Sequence, residues 1–448
     1  MRIIVEVAEY ESGWVQFIEV QDMIINEWKD KIASGAMDAR LAELYSDANL
    51  DRQRTRYVKA LASYQESFSV GDDADISLFS APGRTEIGGN HTDHQHGNVL
   101  CASVSVDAIA VAGKTDGGVV RVLSEGYDML TTTIDKLDKD PAEEGKTIAL
   151  IKGVLFAMRQ AGYEIGGFDA YITSEVLSGS GLSSSAAFET VIGTIISGLY
   201  NDMKADAVEI AKYGQFAEND FFGKPCGLMD QMACSVGSLC QIDFEDPENP
   251  KIKRIAFDLD AAGYALCITD TKGSHADLTD DYAAVPAEMK QAAACFGKQV
   301  LREVPVEELM AGIPMIREKC GDRAALRALH FAAENERAVS EGKALEQGDF
   351  AAFLQIFKAS GDSSFKYLQN VYTNKDVAHQ NVSVGLAVSE AVLGSDGIAR
   401  VHGGGFAGTM QAFVKKEAVP RYVTAMDALY GAGACAVMQI RKYGGVRV

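Results

Sequence analysis

The chain has 448 residues, with 63 acidic and 42 basic side chains and a net charge of −21. That balance argues against a nucleic-acid partner, because neutralising phosphates needs a basic face. With 47% apolar and 23% charged residues the composition is that of a globular protein too long for one hydrophobic core, so two domains are expected.

The N-terminus, MRIIVEVAEYESGW, lacks the basic start and continuous apolar stretch of a secretory signal, and a cytoplasmic location follows as an expectation. Residues 1–60 hold charged, helix-like segments (26–32 and 40–45) and read as an N-terminal extension packed on the outside of the first domain. The longest apolar run, 99–113, is too short to span a bilayer and carries Asp107. Strands are expected at 104–112 and 119–123, and a surface loop at 135–146. A helix is expected over 147–160, where Ile148, Ile151, Val154, Leu155 and Met158 recur at helical spacing. Phe168, Ala170 and Ile172 alternate with polar residues, the mark of a strand. The loop LSGSGLSSS follows, and then a helix with Ala187, Val191, Ile195 and Leu199 on one face, running to about Tyr200. The acidic stretch DFEDPENP (243–250) carries two prolines and is the best boundary between a first domain over 61–245 and a second over 246–448. Residues 409–414 look like a strand. Eight cysteines are scattered without a C-x-x-C pair, and reduced thiols are expected.

Between the strand near 170 and the helix before Tyr200 lies Gly179-Ser180-Gly181-Leu182-Ser183-Ser184-Ser185. Glycines let the backbone turn sharply toward an anion, the first N–H groups of a helix lack intrahelical partners, and the helix dipole favours negative charge there. The serine hydroxyls add donors, and one of them can ligate Mg²⁺. Alone, the same residues also suit a glycine turn capped by serine. The loop is neither a Walker A sequence nor G-x-G-x-x-G. Three further clusters stand out: 83–93 around Arg84, His91 and Asp93; ENDFFGKPCGLMDQ (218–231); and HGGGFAG (402–408).

Taken together, APGRTEIGGNHTDH (81–94), LSGSGLSSSAAFE (177–189) and VHGGGFAGT (401–409) resemble, in order and spacing, the three motifs of the GHMP kinases. CGLMDQ (226–231) and HADLTDDY (275–282) resemble the galactokinase branch. The likeness runs from about residue 65 onward. It implies an α+β, two-domain GHMP kinase fold with the active site in the interdomain cleft, and ATP-dependent phosphorylation of the anomeric hydroxyl of galactose by a monomer without membrane or nucleic-acid partners. It implies Asp230 as the catalytic aspartate with Arg84 beside it, and Ser185 and Glu218 as Mg²⁺ ligands. Gly179, Ser180, Gly181, Leu182, Ser183 and Ser184 would surround the ATP phosphates. Asn90, His91, Asp93, Gly227 and Tyr282 would contact or shape the sugar site.

Three positions depart from the family pattern. Asn90 stands where most galactokinases have a Glu that bonds the sugar's exocyclic CH₂OH, and Asp93-His94-Gln95 resemble galacturonokinases, so galacturonate or another galactose-configured sugar is the alternative substrate. Ala-Ala-Val-Pro follows Tyr282 where basic residues are usual, and Ala407 replaces a glycine. His402 is expected to be structural. A non-enzymatic sugar and ATP sensor is the competing class, disfavoured because Ser185 and Ala186 are both present.

Overall fold

The computed structural model describes residues 23–176, 181–273 and 278–448. Two long strands, Asp75–Gly88 and Asn98–Lys114, pair antiparallel as its spine. Both are buried along nearly their whole length, and in Asp75–Gly88 that burial takes in the polar Ser77, Ser80, Arg84, Thr85 and Glu86. Their register slips between Pro82 and Arg84 and again between Glu86 and Gly88. Such bulges re-aim side chains, and here they lie at the two charged residues of the segment.

Around this spine the described residues form a nine-stranded sheet. Phe168–Ser174 pairs antiparallel with Asn98–Lys114, and Val119–Ser124 lies parallel to Phe168–Ser174. Leu239–Asp243 joins the early half of Asn98–Lys114, and Val446–Arg447 returns to pair with Phe79 and Ser80. Helices Thr147–Gln160, Ser184–Tyr200 and Ala207–Phe216 cover one face through Phe79, Ala110, Val122, Ile151, Val154, Ile195 and Ile196. Ser184–Tyr200 is buried on nearly every side, which is why its single stripe of fours understated its apolar surface. The helices at 147–160 and 184–200 and the strand near 170 lie where the sequence pattern placed them.

On the opposite face sit helices Ile25–Ala33, Asp38–Tyr45 and Leu50–Phe68. Trp28, Leu41, Tyr57 and Leu61 pack there against Ile76, Leu78, Ile109 and Val111. The described part of the N-terminal segment is therefore a wall of the core, not an outer layer on it. Its tightest tie is Asp107, which is fully buried. Arg441 donates to Asp107 at 2.8 Å, and Arg56, Tyr45 and Ser80 donate to it as well. Burial pushes the Asp107 carboxyl up, but Arg56 and Arg441 outweigh it and hold the group below its usual range.

The expected boundary at 243–250 has a different structure. Leu239–Asp243 and Lys251–Ile255 pair antiparallel, so the acidic stretch is the loop of a hairpin within the first sheet. Prolines and acids break strands at a turn just as they do in a linker. The chain passes to a second sheet only at Tyr264–Asp270, in the order Gly397–Val401, Thr409–Lys415, Tyr264–Asp270, Cys435–Met438 among the described residues. Phe350, Phe353 and Phe357 pack edge-on against Phe413 on one face of it. Asn381–Leu393 and Val419–Tyr430 cover the other. The 25-residue helix Asp322–Glu346 leans on both sheets. No helix of the described residues is long and apolar enough to cross a membrane.

Replacing Asp107 by Asn leaves two buried guanidinium groups short of a counter-charge, and a loss of about 3–5 kcal/mol is expected, read as a lower urea midpoint at unchanged slope. The wild-type contribution is complete above the ordinary carboxylate pKa near ~3.9 and disappears as pH falls through the lower folded value. The variant is therefore expected to lose less stability than the wild type across that acid range.

Candidate active site

Helix Ser184–Tyr200 starts from Ser183, whose φ of 57° is left-handed, and Gly181 before it has φ 70°. A Cβ on Gly181 would collide with the Thr409 hydroxyl of the second sheet, so only glycine lets the loop approach so closely. Gly179 and Ser180 lie outside the described residues. From the bulged strand, the Arg84 backbone N–H donates to the Leu182 carbonyl at 3.1 Å, and its Nη1 donates to the Gly181 carbonyl. Arg84 thus holds two consecutive peptides of the loop.

The other edge of the same guanidinium grips Asp230 with two parallel bonds, Nε to Oδ1 at 2.7 Å and Nη2 to Oδ2 at 2.8 Å. Asp230 opens helix Met229–Val236, and the Ser183 hydroxyl donates to its Oδ2. The Arg84 side chain is 8% exposed and that of Asp230 33%, so the carboxylate forms the open end of a buried pair. Burial raises the Asp230 carboxyl, but Arg84, then Ser183 and Lys224, bring it below its usual range. It is ionised at neutral pH.

Glu218 lies beyond the loop, in a π-helical turn at Ala217–Phe222 that widens the end of helix Ala207–Phe216. Its Oε1 accepts the Ser185 hydroxyl at 3.1 Å and the Lys224 ammonium at 2.8 Å, and its Oε2 accepts Gln231 Nε2 at 2.8 Å. Gln231 also donates to Glu189 at 3.1 Å. Burial, and then the charge of Glu218, push the Glu189 carboxyl well up. Sequence reasoning did not single out Glu189. The available signal was its spacing, one helical turn after Ser185 on the same face.

The loop after Gly88 carries His91 at φ 60°. Its Nε2 faces the Gly404 carbonyl at 3.2 Å; a carbonyl only accepts, so Nε2 bears the hydrogen. Burial, then His94, lower the His91 pKa to about 3, and the ring is neutral. Asp93 lies so close to Gly227 that a Cβ there would overlap its carboxylate. The Tyr282 hydroxyl donates to the Gly405 carbonyl at 2.7 Å, and its ring covers Gly404, where a Cβ would come within 2.6 Å. His91, Asp93, Gly227 and Tyr282 accordingly gather round the glycine run and the Asp230 helix. His275, Ala276 and Asp277 lie outside the described residues.

Asn90 differs from expectation. It is fully buried, and its amide is engaged by protein groups: Nδ2 donates to Glu86 at 2.8 Å and to the Gly403 carbonyl at 2.7 Å, while Oδ1 accepts Asn370 at 2.9 Å and Ser364 at 3.2 Å. It belongs to a buried network joining the two sheets. Arg400 donates to Glu86 at 2.8 Å, and Glu334 accepts the backbone N–H groups of Gly89 and Asn90 at 3.1 and 3.2 Å. Burial pushes Glu86 up to about 7 against the pull of Arg400. Glu334 falls to about 2, because His330, Arg337 and Arg400 outweigh its burial. His402 is part of the same join. Its Nε2 accepts the Glu86 N–H at 3.3 Å, so Nδ1 carries the hydrogen toward Thr409 Oγ1 at 2.8 Å. Ala407 rests in an apolar cluster with Leu278 and Phe406, which accommodates its methyl.

Residues 149–238 match the GHMP kinases N terminal domain, and residues 62–114 match the galactokinase galactose-binding signature. A galactokinase of Streptomyces coelicolor is 31% identical over 360 residues, covering 79% of this chain and 89% of that protein. The chain belongs to the galactokinase family. The structure of Lactococcus lactis galactokinase complexed with galactose superposes with a TM-score of 0.73 at 25% identity, over 87% of this chain and 100% of that one. Methanococcus jannaschii mevalonate kinase shares the fold, with a TM-score of 0.58 at 14% identity over 81% of this chain and 98% of that one. The chain thus has the mixed α/β fold of the GHMP kinases, a family of ATP-dependent phosphotransferases.

Because Asn90 is enclosed, Asn90→Asp adds a carboxylate beside Glu86 and removes the donor that Glu86 and Gly403 use. A loss of about 2–3 kcal/mol is expected, seen in denaturant unfolding, with the galactose dissociation constant of the folded fraction changed less than threefold. A large rise in that constant at unchanged stability would show that the side chain faces the sugar.

Proposed function

We propose that this chain transfers the γ-phosphoryl group of ATP to the anomeric hydroxyl of galactose. The observation that carries the reading is the two-bond pair of Arg84 and Asp230, with its carboxylate exposed between the phosphate loop and the His91, Asp93 and Tyr282 wall. The names of its relatives, a galactokinase and a galactokinase bound to galactose, agree with the substrate.

In this reading the galactose O1 hydroxyl points at Asp230. As O1 bonds to the γ-phosphorus and the bond to the leaving ADP oxygen breaks, the hydroxyl proton passes to an Asp230 oxygen. A carboxylate held below its usual range is a weak base, so Asp230 acts first by orienting the hydroxyl and accepts the proton late, as a loose transition state permits. Arg84 stays charged throughout, balances Asp230 and offsets charge on the transferring group. Gly181, Leu182, Ser183 and Ser184, with Gly179 and Ser180, receive the ATP phosphates. Asp93 and His91, given room by Gly227, bond the sugar hydroxyls, and Tyr282 closes that side.

Ser185 and Glu218 suit Mg²⁺: they are hard oxygen donors 3.1 Å apart, and the Glu218 oxygen that accepts the Ser185 hydroxyl also accepts the Lys224 ammonium. Mg²⁺ held there would neutralise charge on the ATP phosphates. The enclosure of Asn90 weakens one of the two grounds for the galacturonate alternative, the other being Asp93-His94-Gln95. The reading extends to a monomeric, cytoplasmic enzyme without membrane partners, and without nucleic-acid partners, the last supported by the net charge of −21.

The test is ADP release with galactose, with galacturonate and with no sugar. Galactose-dependent turnover is expected, with kcat/KM for galactose at least tenfold above galacturonate and kcat at least 100-fold lower in Asp230→Ala. Galacturonate preference would overturn the substrate, and an absence of sugar-dependent turnover would leave a sensor. With Asp230 depressed, kcat/KM is expected to show no loss from its protonation between about pH 8 and pH 5. In Glu218→Gln the Mg²⁺ concentration for half-maximal rate is expected to rise about tenfold.

A further inference from the structure

All eight cysteines are free thiols. Five are buried, and Cys226, Cys295 and Cys320 are partly accessible. Cys226 contacts Gln231 at 3.6 Å beside Glu218, and burial together with that carboxylate pushes its thiol far above the usual range, which leaves it unreactive. The other two face each other. Cys295 caps the C-terminal end of helix Thr279–Ala294, Cys320 is the last residue of helix Val306–Cys320, and their sulfurs are 3.5 Å apart.

We propose that Cys295 and Cys320 form a modification site that closes reversibly into a disulfide by exchange with a small-molecule disulfide. A bond needs the sulfurs to approach by roughly 1.5 Å more, to about 2.05 Å. Cys295 lies where its helix runs into a turn, and Gly321, with φ 89°, is the one residue between Cys320 and helix Asp322–Glu346, so the movement comes from the Cys295 end. Ala292 and Ile316 pack beneath them in one apolar cluster, which keeps the ends together while the thiols exchange. One cysteine thiolate attacks the small disulfide, forming a mixed disulfide and releasing one small thiolate. The second cysteine thiolate then attacks the protein sulfur of that mixed disulfide and releases the other. The two cysteine protons end on the two small thiols, and no further oxidant is required. Burial and the neighbouring Cys295 raise the Cys320 thiol, which lowers its share of thiolate. The disulfide would tie the far end of the helix whose first turn carries Tyr282.

The experiment equilibrates the full-length protein in glutathione buffers of increasing disulfide fraction and quenches with an alkylating agent. It then maps non-reduced peptides and titrates thiols under denaturing conditions. The expected result is a linked peptide pair containing Cys295 and Cys320, two fewer titratable thiols, and full reversal by dithiothreitol. Cys295→Ser and Cys320→Ser, changed where the side chains are partly exposed, are each expected to stop at a single glutathione adduct on the remaining partner. The proposal is overturned if the wild type carries separate adducts on Cys295 and Cys320 without the linked peptide, if Cys226 reacts first, or if both thiols stay reduced in the most oxidising buffer.

Discussion

The guanidinium of Arg84 is the point on which the site depends. One edge holds the Gly181 peptide of the phosphate loop and the other holds Asp230, so a single planar group fixes the loop against the carboxylate. Lysine could supply the charge but not two parallel bonds plus a third at a set angle. The bulge between Pro82 and Arg84 turns the side chain out of the sheet's alternation toward the loop. An irregularity of strand pairing and the position of the Asp230 carboxylate are thus one structural fact.

An acidic protein that handles a polyphosphate must build its positive field locally. Here the net charge is −21, and the attraction comes from the start of helix Ser184–Tyr200, from Arg84 and from Lys224. Carboxylates in the same place serve the opposite purpose. Glu218 gathers a hydroxyl and an ammonium, and burial and Glu218's charge push the Glu189 carboxyl behind it well above its usual range. That direction favours the uncharged form of Glu189, and with it a lower cost of drawing an anion into the region.

Much of this was legible from the chain alone, and the limits have physical causes. The resemblance to the GHMP kinase motifs singled out Arg84, Ser185, Glu218 and Asp230, and the fold pairs Arg84 with Asp230 and Ser185 with Glu218. The helices at 147–160 and 184–200 announced themselves through 3.6-residue periodicity. Glu334 and Arg400 were not legible. They occupy an ordinary helix and an ordinary strand and matter only because the fold brings them to Glu86 from more than two hundred positions away. Asn90 shows the same limit within a motif, since its place in the sequence said nothing of the four protein groups that surround its amide. The stretch 243–250 shows a third, because a turn between paired strands and a linker between domains draw on the same residues.

The pairing of Asp107 with Arg441 bears on how the molecule is made. The two are 334 positions apart, and Val448 joins the cluster that holds Trp28 and Leu61. During synthesis Asp107, in the middle of the first sheet, emerges well before Arg441 and waits for that arginine until the strands of the second sheet have been made. The second sheet, assembled from residues that come between, can form before the first is complete. Such non-local closure is slow, and the second sheet has its last described strand, Cys435–Met438, before the first receives Val446–Arg447.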